Sequence, residues 1–233
     1  MSSAFPETRW TQVERCQGSG EDARLALSEL CAACHRPVQA FVRNWCRDEE
    51  KAKDLTQEFF ARLLARPGLE AERGRGRFRT YLLGAVKHFL QEVQQADRTQ
   101  KRGGGRVWLD LDTADAQGIA DPGALPPDVL FDQQWACALL ERALQALGEE
   151  MENSGRGRLF EGLKPWLAGN VDHGDQLLTA GQLGLSETAI RVQVHRLRKR
   201  YRERVEAEVG QTLTTGASLA EEMQHLFAAL AGR

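Results

Sequence analysis

The sequence predicts an all-α protein of two helical domains joined by a flexible acidic linker. Apolar residues recur at three- and four-residue steps over most of the chain, which is the spacing of helices buried along one face. No period-two alternation of useful length, the mark of a half-buried strand, occurs anywhere. Charge is also segregated. Residues 73–106 hold nine Lys/Arg against two Asp/Glu, residues 107–152 ten Asp/Glu against one Arg, and residues 191–204 seven Lys/Arg against one Glu. Two basic blocks around an acidic one suggest two contacts with a polyanion and a connector that does not bind it.

The 233 residues are enough for two compact units and a connector. At 42% hydrophobic and 27% charged residues, with a formal net charge of -2, the composition excludes collagen-like, disordered and disulfide-scaffold classes. No run approaches the ~18 consecutive apolar residues of a membrane span. The first residues already carry Glu7, Arg9, Glu14 and Arg15 without an apolar centre, so a cytoplasmic protein is expected. Cys16, Cys31, Cys34, Cys46 and Cys137 are odd in number and irregularly spaced, which predicts reduced, mostly packed thiols.

The first stripe is Leu27, Leu30, Cys31, Cys34, Val38, Phe41, Val42 and Trp45, with Pro37 predicting a kink or a break between two helices. Ala52, Leu55, Phe59 and Leu63 form a narrower stripe ending before Pro67 and Gly68; Asp54, Gln57, Glu58 and Arg62 project elsewhere. A third stripe runs Phe78, Tyr81, Leu82, Ala85, Val86, Phe89, Leu90 and Val93. Three such helices make a bundle, assigned to residues 1–102. Three successive glycines, 103–105, then open an Asp-rich stretch containing Pro122, Gly123, Pro126 and Pro127, which predicts a linker over residues 103–131.

Helical pattern resumes near Leu130 with Leu139, Leu140, Ala143 and Leu147, then Leu159, Phe160, Leu163 and Trp166; this second domain is assigned to residues 132–208. Within it, residues 177–202 read LLTAGQLGLSETAIRVQVHRLRKRYR. Ala180 permits close helix approach, Gly184 a tight turn, and Ser186 before Glu187 is a good helix start, so the pattern is a helix-turn-helix. With Ile190, Val194, Leu197 and Tyr201 facing the core, the other side presents Thr188, Val192, His195, Arg196 and Lys199, flanked by Arg191 and Arg198. Such a face suits a major groove: arginine can take guanine O6 and N7, and an exposed valine a thymine methyl. Beyond it, Val205, Val209, Leu213, Leu219, Met223, Leu226, Phe227 and Leu230 give the C-terminal extension, residues 209–233, an apolar face split into two helices near Gly210 and Thr214–Gly216.

With both basic blocks located, the chain from about Leu27 to Arg204 resembles a bacterial RNA polymerase sigma factor of the extracytoplasmic-function (ECF) type. The resemblance rests on DLTQEFFARLL (residues 54–64), GRFRTYLLGAVKHFL (76–90) and VHRLRKRYRE (194–203), in that order, with TRWTQV near the start and KRGGG before the linker suggesting a branch with a C-terminal extension. It implies that Asp54, Gln57 and Glu58 bind core RNA polymerase through a coiled coil of its largest subunit. Arg73, Arg75, Arg77, Arg79, Tyr81, Lys87 and His88 would hold the single-stranded −10 promoter element. A cationic channel with planar side chains is also what an unpaired strand requires; Phe78 is expected to be core. Thr188, Arg191, Val192, His195, Arg196 and Lys199 would read −35 duplex, and the acidic linker would run through a cationic channel of the polymerase. No catalytic residue, metal or cofactor is implied. An anti-sigma factor and self-regulation by the extension are the two candidate modes of control. The chain departs from the family where Tyr81 replaces a common tryptophan, His88 an asparagine, and Leu178-Thr179 an acidic-apolar pair, and it carries an insertion over residues 149–175.

Other classes have less behind them. Cys31, Cys34 and His35 match the CxxCH haem-attachment pattern, but both thiols lie on an apolar stripe; as a zinc set they are thin. A stand-alone helix-turn-helix regulator with a sensing bundle accounts for the second basic block and not for the first. No phosphate loop, HExxH or nucleophile elbow suggests an enzyme.

Overall fold

The computed structural model describes residues 12, 15–16, 20–65, 77–100, 125–167, 173–213 and 217–232. Every regular element among them is helical: α1 (Glu21–Cys46), α2 (Glu49–Ala65), α3 (Phe78–Gln100), α4 (Pro127–Asn153), α5 (Gly157–Leu163), a 3-10 turn (Lys164–Leu167), α6 (His173–Leu183), α7 (Glu187–Gly210) and α8 (Leu219–Leu230). The fold is all-α. The described residues up to Ala138 and from Gly210 onward form one unit, and Leu139–Val209 form the other.

In the first unit the three expected stripes meet. Leu30, Val38, Phe41 and Trp45 of α1, Leu55, Phe59 and Leu63 of α2, and Phe78, Leu82, Val86 and Leu90 of α3 are all buried. Of the expected kink or break, the break does not occur: α1 continues through Pro37 as one helix. A proline inside a helix removes one hydrogen bond; the apolar residues buried on both sides of it keep the helix together. Arg47, in the left-handed region at φ 52, ends α1, and its N–H bonds the Arg43 carbonyl at 2.8 Å. Asp48 starts α2 by accepting from Lys51 N–H at 3.1 Å, the bond that makes aspartate a favoured cap.

α4 begins at Pro127, so the last residues of the expected linker are helical. Proline suits a first helical position, where its missing N–H would have no partner. Phe131 and Trp135 enter the core of this unit, Phe131 edge-on to Phe41 and both rings near Phe78 or each other. The C-terminal residues join the same unit. α8 is capped by Ser218, whose hydroxyl accepts from Glu221 N–H, and it buries Leu226 and Ala229. The Phe78 N–H, one of the orphan donors at the start of α3, bonds the Thr212 carbonyl at 3.1 Å.

In the second unit Leu147 and Met151 of α4, Phe160 and Leu163 of α5, Trp166, Ala180 of α6, and Ile190 and Leu197 of α7 form one core, against which Val194 and Tyr201 pack. The turn between α6 and α7 has the expected chemistry. Gly184 has φ +65, Leu185 N–H bonds the Ala180 carbonyl at 3.0 Å, and Ser186 Oγ accepts from Ala189 N–H at 3.2 Å. The first two features close a helix C-terminus with a left-handed glycine, the third opens the next helix. Tyr201 donates its hydroxyl to the Leu140 carbonyl at 3.0 Å, and burial pushes its pKa up.

Candidate nucleic-acid interface

Asp54, Gln57 and Glu58 lie exposed on α2, between positions that enter the core. Glu58 is held by Arg62 at 2.5 Å; Arg62 also reaches Glu92 at 3.3 Å and lies over the Phe89 ring. His88 Nδ1 stands 3.2 Å from the same Glu92. A groove floored by Phe59, Leu63 and Phe89 runs beneath this chain of polar groups. Glu58 and His88, expected to serve different partners, are thus two ends of one polar string across α2 and α3.

Of the seven residues expected at the −10 strand, Arg73 and Arg75 lie outside the described residues. Arg77, Arg79, Tyr81 and Lys87 are half-buried and His88 is exposed. The three cations among the half-buried residues are engaged by carboxylates. Arg77 Nε is 2.7 Å from Glu222 and its Nη2 3.2 Å from Glu221. Arg79 pairs with Asp132 and reaches Glu222 at 3.4 Å. Lys87 is 2.6 Å from Asp128. Sequence reading missed Asp128, Asp132, Glu221 and Glu222 as partners of these cations. Asp128, Glu221 and Glu222 were visible only as acids in the first turns of α4 and α8, which dipole complementarity explains equally well, and Asp132 only as one acid of the second turn of α4.

Thr188, Arg191, Val192, His195, Arg196 and Lys199 are all exposed on α7, and Val192, an apolar side chain, is 44% exposed among cations. Arg191 pairs with Glu187 one turn back. The rest of the basic block divides by task. Arg198 donates twice to the Trp166 carbonyl, at 3.0 and 2.8 Å, while Arg200 and Arg204 hold Glu150 at 2.9 and 2.7 Å. Those three arginines brace the unit, whereas Arg196 and Lys199 point outward with His195.

Residues 30–99 match the family model described as Sigma-70 region 2. That match supports a sigma factor. The matched residues cover α1 from Leu30 onward, all of α2, and α3 up to Thr99, so the exposed α2 residues and the described cations near the start of α3 lie within the matched segment; a sigma region 2 implies interaction with core RNA polymerase and promoter DNA. The sigma family is in general non-enzymatic. No curated protein and no solved structure matches the chain. No helix among the described residues is long and apolar enough to cross a membrane.

Proposed function

We propose that this protein is a dissociable promoter-specificity subunit of RNA polymerase, a sigma factor of the ECF type with a C-terminal extension. In this reading α2 binds core polymerase through Asp54, Gln57 and Glu58. The segment from Arg73 to His88 captures the −10 single strand, and the Thr188 to Lys199 face of the helix-turn-helix enters the −35 major groove. The observation that supports it best is the coincidence of the region 2 match with a segment that pairs an exposed polar face on α2 with the cations Arg77, Arg79 and Lys87 at and after the start of α3. A stand-alone regulator would need neither. Exposure of Val192 beside Arg196 supports the second half, because groove-facing apolar side chains gain nothing from water and something from a thymine methyl. The test is transcription in vitro with core polymerase and genomic DNA. Discrete start sites that appear only with this protein are expected; transcription identical to that of core polymerase alone would remove the reading.

A further inference from the structure

Arg77, just before α3, and Arg79 and Lys87 on it are occupied from within. Glu222 is 3% exposed although it lies on a twelve-residue helix that otherwise buries only Leu226 and Ala229. A carboxylate is taken out of water at high cost unless it is paired, and the partners of this one are Arg77 and Arg79. Glu221 adds a second oxygen to Arg77, His225 Nδ1 stands 3.2 Å from the same guanidinium, and Asp132 and Asp128 from the start of α4 take Arg79 and Lys87. Glu222 Oε2 forms no hydrogen bond and holds Arg77 by charge and proximity alone, and carboxylate oxygens at these distances occupy guanidinium groups that phosphate oxygens would otherwise take. The bond from Phe78 N–H to Thr212 then ties the chain leading into α8 to the first residue of α3.

We infer that α8, with the acidic side chains of the first two turns of α4, is an internal competitor for the −10 strand, so that Arg77, Arg79 and Lys87 bind DNA only when these carboxylates let go. This rests on the assignment of α3 as the −10 face. The covering helix is built to leave: it is short, and Leu219, Phe227 and Leu230 on its outer side remain exposed. Its hold is largely ionic, which a polyanion contests directly. A ligand that binds only the open state binds more weakly by the fraction of molecules that are open, so removing the cover raises affinity without any new contact.

The test uses the full chain and a fluorescein-labelled single-stranded DNA oligonucleotide of randomised sequence, with and without core polymerase. Glu221→Gln with Glu222→Gln should bind the oligonucleotide at least about fivefold more tightly than the parent. In the unaltered protein, amides of residues 219–230 should exchange with deuterium faster when the oligonucleotide and core polymerase are present. Equal or weaker binding by a folded variant, or unchanged protection of α8 in a DNA-bound parent, overturns the inference. If neither protein binds the oligonucleotide, even with core polymerase, the α3 assignment itself fails, and the competitor falls with it.

Discussion

Phe41 and Phe131 meet edge to face, their ring centroids 6.3 Å apart and their planes at 88°. One ring belongs to α1 and the other to the first turns of α4, and both side chains are fully buried. Aromatic pairs in this geometry gain from the ring quadrupoles in addition to the area they bury. Phe131→Ala should therefore cost about 3–5 kcal/mol of stability through lost burial and the cavity left behind. Urea unfolding checks it; a loss below about 1 kcal/mol would mean that α4 does not hold this core together.

The same pair shows where sequence reading ends. Stripes on a single helix were legible: Leu55, Phe59 and Leu63, or Ile190 and Leu197, repeat at helical steps and are buried as expected. Turn chemistry was legible too, because Gly184 and Ser186 act within a few residues of themselves. Phe131 opens a four-residue period that continues through Trp135, Leu139, Ala143 and Leu147, all buried, so its burial is local in origin; its partner is ninety residues away, and no local period says which helix it meets. Glu222 was hidden for a related reason. An acid near the start of an amphipathic helix is ordinarily solvated, and only the fold brings Arg77 and Arg79 to it. Pro37 left two readings open, and the break is the one excluded, because packing along α1 carries the helix through it.

Asp54→Ala combined with Gln57→Ala should weaken binding to core polymerase by about tenfold, as loss of a small contact cluster does, while leaving helix content unchanged. Both side chains are exposed, and the neighbouring Leu55 and Phe59 that hold α2 are untouched. Pull-down of core polymerase with circular dichroism on the same sample measures both. Undiminished recovery of polymerase would move the contact to another face.

Gly184→Ala isolates backbone strain. A Cβ at this position would meet nothing within 4 Å, yet φ is +65. The cost is then that of a left-handed alanine, about 1–2 kcal/mol, with no steric component. Thermal unfolding should show the loss, and Gly184→Asn, which tolerates this conformation better, should recover part of it. Two equally stable variants would mean that the turn after α6 relaxes to another geometry.

Stability at low pH should depend on Glu150. The hydrogen bond from Arg204, with Arg200 close by, holds its carboxyl below the usual carboxylate range. A depressed folded-state pKa means the unfolded chain takes up the proton first. The contribution of the pair is complete above the ordinary value near 4.5 and is lost as pH falls through the lower folded value. Because the pair is partly exposed it is worth about 1 kcal/mol or less. Glu150→Gln should lower the melting temperature slightly at pH 7, and the difference from the parent should shrink as pH falls below 4.5. A difference that persists unchanged into acid would assign the effect to packing.

On α7, Arg196→Ala should weaken binding of a −35 duplex by about 1–3 kcal/mol and relax preference at one base pair, the effect of losing a bidentate guanine contact. Arg191 starts from a different position, because it is already engaged by Glu187. Part of what it would gain at the DNA is spent in leaving that carboxylate, so Arg191→Ala should cost less than Arg196→Ala, and Glu187→Gln should tighten binding. Val192→Ser separates groove from backbone contact. Loss of a methyl contact lowers affinity only for sites with thymine opposite Val192, whereas a phosphate contact would be lost equally on every sequence. Binding of the full chain with core polymerase to promoter duplexes varied one base pair at a time gives all four comparisons. If Arg196→Ala lowers affinity uniformly across the series, Arg196 holds the phosphate backbone and the reading of bases passes to Val192 and its other neighbours on the exposed face.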